Sequence, residues 1–249
     1  MSGYGIEYAQ ARLQARYGLR PDETAWHRLA SLRGLPAALA YGHESAFRGW
    51  LDGCDAAGGA HALESGLRRR WRVLVAEVAR WLPAEWRAAT GWCALLPDLP
   101  ALDHLLEGGE VLPWMRAEPS LAALCGGEAL PAISRGLMTF ARQPGQPPAE
   151  AWLAEWRRRL PPLDEEDAAL LGALEGTLRE HAAAFRAAAP AEAWPLRRRL
   201  QARLDVLFRR CLLSPSAAFV FLMQALLDLE RLRAALVPRA VLAATEQAP

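Results

Sequence analysis

The chain is predicted to be all-α, and three observations carry that reading. Roughly fifty alanines and forty leucines dominate its 249 residues. Isoleucine occurs only at Ile6 and Ile133, and valine and threonine are sparse. Prolines and glycines punctuate the chain at helix-length intervals. Alanine, leucine, arginine and glutamate favour helices, whereas strands want β-branched and aromatic residues. With 27.3 kDa of chain and 23% charged residues, a sizeable core is expected and a disordered polyelectrolyte is excluded.

About ten helices follow in order. The first runs from about Tyr4 to Tyr17 and stops at Gly18, a suitable left-handed cap. Pro21-Asp22-Glu23 opens the second, with proline and acid in its first turn, and Gly34 ends it. Leu35-Pro36 starts a short third, and Glu44 to Ala57 reads as a fourth, broken by Gly58-Gly59. A long helix covers His61 to Trp81, Pro83 starts another to about Leu96, and Pro100 a short one to Glu107. Glycines and prolines interrupt 108–127, and helix returns over 128–142. After a linker at 143–148 come helices over 149–160, 164–188, 191–211 and 215–237, the last begun by the Ser214 hydroxyl with Pro215 and ended by Pro238. The expected organisation is a single all-α domain over 1–249, with sub-lobes at about 1–142 and 149–240 joined by 143–148.

The two long hairpins suggest an internal repeat. Leu67-Arg68-Arg69-Arg70 and Leu196-Arg197-Arg198-Arg199 open similar segments, and Asp98 and Asp228 follow 31 and 32 residues later. Leucines recur at one, four and eight residues after each Asp, which is one helical face. Both acids read as helix-start caps. The acidic run Asp164 to Asp167 also reads as a helix start, because four adjacent side chains splay around a helix instead of converging on a metal.

Chemistry is signalled mainly by absences. The chain has no lysine, so all 29 basic residues are arginine, which excludes a Walker-type phosphate loop and a Schiff-base enzyme. A net charge of +1 argues against nucleic acid as the main partner. Cys54, Cys93, Cys125 and Cys211 lack zinc spacing and read as buried free thiols in a reducing compartment. His27, His43, His61, His104 and His181 are scattered singly. Around Ser134 the sequence loosely resembles a nucleophile elbow, but the strand that motif requires is not expected. No catalytic, cofactor-binding or metal-ligating residue is therefore assigned. The arginine triplets read as solvated helix faces or as contacts for an acidic partner. The ten tryptophans read mostly as core or groove lining, and an exposed Trp–Arg surface would mean partner binding. The N-terminal segment lacks a signal-peptide core, and the longest apolar run, Ala217 to Leu227, is interrupted by Gln224 and about half the length a bilayer requires. A cytoplasmic chain is expected, with no direct membrane insertion.

Tyr8 to Arg16 resembles the Tyr-x-x-Ala-Arg opening of the C subunit (d in eukaryotes) of V-type and archaeal-type rotary ATPases. Ala62 to Leu106 is similar to that family's long helix and the Asp/Leu-rich helix after it, and Leu207 to Leu236 to its C-terminal helix. The resemblance implies an all-helical funnel of similar lobes that joins the rotor shaft to the membrane ring in proton or sodium transport, without an active site or cofactor. Its partners would be those protein subunits, and the chain would sit peripherally on the inner membrane face through the complex. Family members are longer, so one lobe should be reduced near 108–148, and the family's Asn is replaced by Leu102 or His104. The alternative is a helical adaptor or scaffold in another complex. In a stalk subunit Asp103, His104, Arg231 and Arg233 are expected to face outward from the leucine stripes and meet the partner.

Overall fold

The computed structural model describes residues 3–118, 120–122, 125 and 148–246. Helices account for nearly all of the regular structure, and no strand occurs among the described residues. The helix expected over 128–142, the Ser134 motif and nearly all of the 143–148 linker lie outside the described residues.

The chain divides into two compact units, one formed by 1–84 with 162–249 and the other by 85–161. This division differs from the expected sub-lobes 1–142 and 149–240, because the helices at the two ends of the chain fold together.

In the first unit, α1 (Gly3–Gly18), α2 (Glu23–Ser31), α3 (Leu35–Glu44), α4 (Arg48–Leu51) and α5 (Gly59–Trp81) precede α10 (Glu165–Ala187), α11 (Ala193–Arg210) and α12 (Ser216–Glu246). The centre is α12. Its first turns are buried on every side from Ala217 to Ala225, as for a helix enclosed by neighbours. Those neighbours are α1, α3, α5, α10 and α11. Further along, burial narrows to the stripe Leu229, Leu232, Leu236 and Ala240. Opposite it, α5 buries Leu63, Leu67, Trp71, Val75 and Val78, also at helical spacing. Each large aliphatic chain so buried contributes about 1.5–3 kcal/mol.

Two expected ends move. Pro238 does not terminate α12, which continues to Glu246. Arg239, one residue on, donates to the Ala235 carbonyl and to the carbonyls of Leu29, Ala30 and Leu32 at the end of α2. Buried Ala240 and this clamp on α2 offset the one backbone bond that proline removes. The helix expected over 44–57 shortens to α4, because Gly53 turns the chain at φ 78° and the Asp55 carboxylate accepts from the amides of Ala57 and Gly58. Other starts follow the reading: Asp22 and Asp164 accept from the amides of Ala25 and Asp167, and Ser214 Oγ from that of Ser216.

In the second unit lie α6 (Arg87–Trp92), α7 (Leu99–Leu106), α8 (Pro113–Ala117) and α9 (Pro148–Arg158), and a tight 3₁₀ turn that contains Pro97 joins α6 to α7. Trp92 and Trp152 each donate an indole N–H to the other's carbonyl, at 3.1 and 3.2 Å, and the Arg159 guanidinium lies 4.2 Å over Trp92. Buried tryptophans here thus serve as core, as their number suggests.

The proposed repeat is not matched element for element. After Pro215 the chain forms one unbroken helix, while after Pro83 it forms a succession of short turns and helices. Leu229, Leu232 and Leu236 are fully buried, but of Leu99, Leu102 and Leu106 only Leu102 is. Asp98 stands at the N-terminal cap position of α7, but its side chain makes no capping bond. Asp98 is buried and accepts from Ser120 Oγ at 2.5 Å, and Asp228 lies in the middle of α12.

Candidate functional site

The turn between α1 and α2 builds a polar cluster inside the first unit. Leu19 and Arg20 close the α1 terminus by bonding to the carbonyls of Arg16 and Tyr17, and Pro21 then directs the chain away before the Asp22 cap. Arg20 is thereby aimed at α12, where its guanidinium meets both oxygens of Asp228 at 2.6 and 3.0 Å. It also donates to Gln201 Oε1 on α11 at 3.0 Å. Asp205, one turn from Gln201, accepts from Gln201 and Gln224 at 2.8 Å each and from the Tyr17 hydroxyl at 3.3 Å. Tyr17 stacks on Phe208 with ring centroids 4.7 Å apart.

Burial raises the Asp228 pKa, against the opposing pull of Arg20. Tyr17 is likewise pushed upward, first by burial and then by the Asp205 charge. Every carboxylate in the cluster is committed to a cation, an amide or a phenol. The arrangement fastens α1, α11 and α12 together.

Two clefts open around the Arg20–Asp228 pair, of about 310 and 360 Å³. An alternating row of rings and guanidiniums runs through the first and on to Phe185 beyond its lining. Arg231 lies 4.4 Å over Trp26 and 6.0 Å from Trp194, and Arg197 lies 5.2 Å over Trp194 and 4.8 Å over Phe185. The row crosses four helices, α2, α12, α11 and α10, in that order. His181, ring to ring with Phe185 at 5.7 Å, has its pKa lowered by burial and by Arg197.

No family model matches this chain, and neither does any curated protein or solved structure. The site must therefore be read from its own geometry.

The four residues expected to meet a partner separate into two groups. Asp103 and His104 are exposed on α7 in the second unit, with His104 Nε2 3.0 Å from the Glu110 carbonyl. Arg231 and Arg233 belong to the first unit and are engaged within it, not held free. Arg231 grips both oxygens of Glu23, at 2.6 and 3.0 Å, and lowers that carboxyl's pKa. Arg233 grips both oxygens of Glu64 and reaches Glu230 at 2.7 Å. Burial works against the Arg233 charge, and Glu64 and Glu230 more than offset it. A leucine stripe marks which face is apolar, but it does not show that α2 and α5 lie within reach of the other side.

The arginine triplets also differ among themselves. Arg68 is buried beside Glu64 at 3.8 Å, contrary to a solvated face, whereas Arg198 and Arg199 are exposed. Of the acidic run, Asp167 turns inward to accept from Ser214 and Ser216 at 2.5 and 3.0 Å, while Asp164, Glu165 and Glu166 stay exposed. No group of three or more metal-ligating side chains occurs among the described residues. Nor is any helix among them long and apolar enough to cross a membrane.

Sequence reasoning missed Arg20, Gln201 and Asp205, each an ordinary polar residue in a polar stretch. Gln224 was a usable signal. A glutamine that interrupts an eleven-residue apolar run is a buried polar group in need of a partner.

Proposed function

We propose that this chain is a non-catalytic central-stalk subunit of a V-type or archaeal-type rotary ATPase, linking the rotor shaft to the membrane ring. One observation carries the reading. Residues of the three segments that resemble that family lie on α1, α5 and α12, and these helices pack on one another in one unit. Leu13, Leu67, Trp71 and Leu229 are all buried in that unit. The Arg20–Asp228 clasp ties the turn after α1 to α12, and the Arg233–Glu64 pair ties α12 to α5, polar ties that suit a spacer under torque. In this role the chain hydrolyses nothing itself and works through protein surfaces. A helical adaptor in another complex is the second reading. It is favoured by the short, turn-linked helices between Ala84 and Leu106, where a lobe like that of α11 and α12 would be expected.

The test is to purify the rotary ATPase from native membranes and determine by mass spectrometry whether this chain is present in fixed stoichiometry. Deletion should uncouple hydrolysis from ion transport. A complex that lacks the chain, together with normal coupling after deletion, overturns the stalk reading.

A further inference from the structure

We infer that the Trp194–Arg197–Arg198 face of α11 is the docking surface for an acidic segment of a partner protein. The inference rests on the chain's being a protein-binding subunit, but not on the partner's being a rotary ATPase.

The starting point is a contrast among the arginines of the first unit. Arg16, Arg20, Arg70, Arg203, Arg231 and Arg233 each hold a carboxylate, at 2.6 to 3.1 Å. Arg197 and Arg198 form no ion pair among the described residues. Arg197 is half-buried, and its guanidinium is fixed instead by two rings, Trp194 and Phe185. A planar cation stacked in place keeps its N–H edge free for a carboxylate fork, and little conformational freedom is left to lose on binding. Arg198, exposed on the same turn, adds a second charge.

The rings are accessible as well. Trp194 is 40% exposed and Phe185 37%. Trp and Arg side by side on a rigid surface are the residues from which binding hot spots are most often built. The support beneath them is firm. Trp194 continues into Arg231, which is clamped by Glu23 and lies over buried Trp26.

The charge pattern selects the occupant. Asp22 and Glu23 line the same cleft as Arg197 and Arg198, and Arg198 helps to lower the Glu23 pKa from across it. A nucleic-acid backbone or an anionic membrane, with charge at every step, would meet those acids as well. A protein segment can set discrete carboxylates on Arg197 and Arg198 and an aliphatic side chain on Trp194, and so avoid the acids. The net charge of +1 agrees, since polyanion binders carry a basic excess.

The experiment is fluorescence anisotropy with a labelled synthetic peptide of glutamates interspersed with leucines, and its glutamine counterpart as control. Saturable binding to the wild-type chain is expected. R197E/R198E should weaken it about thirtyfold, which corresponds to a hot-spot loss of about 2 kcal/mol, and W194A should act in the same direction. R209E/R210E makes the same charge change at the far end of α11 and should leave binding within about threefold, because only long-range attraction is altered. Circular dichroism on each variant verifies the fold, and R198Q with W194A carries the test if R197E/R198E does not fold. The inference is overturned by absence of saturable binding, by equal weakening in both double variants, or by a glutamine peptide that binds as tightly. It is overturned equally if single-stranded DNA or anionic vesicles displace the peptide at matched charge. If the chain is absent from the ATPase while the peptide result holds, only the stalk reading falls. If peptide binding ignores R197E/R198E while the chain is present in the ATPase, only the docking surface falls.

Discussion

Replacing Arg20 by methionine tests how the first unit is held together. Arg20 and Asp228 are both largely shielded from water, and their two bonds of 2.6 and 3.0 Å are fork to fork. At a separation of about 3 Å and an effective dielectric of about 20, their attraction is about 5–6 kcal/mol, most of which offsets desolvation. Removing one partner leaves the other charge buried, at a cost of about 3–5 kcal/mol. For a chain of this size that lowers the midpoint of thermal unfolding by about 6–20 °C.

The pH dependence follows from the direction of the Asp228 shift. Its folded pKa is already raised by burial, so the folded state favours the protonated acid. That stabilisation is full below the unfolded value of about 3.9 and is lost as pH rises through the folded value. Without Arg20 the folded value rises further. The deficit of R20M should therefore be largest at pH 7 and shrink towards pH 4, as protonation removes the buried Asp228 charge. R20M/D228L, an apolar pair in the same space, should recover to within about 1–2 kcal/mol of wild type. Urea unfolding followed by circular dichroism at pH 4, 5.5 and 7 measures all three. An R20M deficit that is below about 1 kcal/mol, or that does not depend on pH, refutes the reasoning.

Two further outcomes concern the α11–α12 turn and the thiols. Leu213 holds φ 57°, a left-handed conformation costly for a side-chain-bearing residue, and it is 60% exposed. Leu213→Gly should raise stability by about 0.5–1 kcal/mol in urea unfolding, and a loss of stability would mean that the leucine side chain packs after all. Cys211 is pushed to about 11, by burial first and then by Asp167, and burial raises Cys93 further still. At pH 8 only about one Cys211 in a thousand is thiolate, so peptide mapping after iodoacetamide should find both thiols unmodified until the chain unfolds. Rapid labelling of either one in the native protein contradicts that burial.

The sequence by itself determined the helical class and most helix starts. Both depend on nearest neighbours: alanine and leucine content, a proline or glycine break, a carboxylate or hydroxyl placed to accept the first free amides, as with Asp22, Asp164 and Ser214. The stripe Leu229, Leu232 and Leu236 was legible for the same reason, because helical spacing alone puts those side chains on one face. Pro238 was misread because the bond it removes is local, whereas the clamp that offsets it reaches α2, more than two hundred residues earlier in the chain. Arg231 and Arg233 were legible as the polar side of α12. Whether that side met solvent or Glu23 and Glu64 depended on which helices came to lie beside it. Only the tertiary structure decided that Arg197 should stand between two rings without a carboxylate while Arg231, beside the same Trp194, found Glu23. An ion pair joins residues distant in sequence, and no local pattern records which of many similar arginines the fold leaves unpaired.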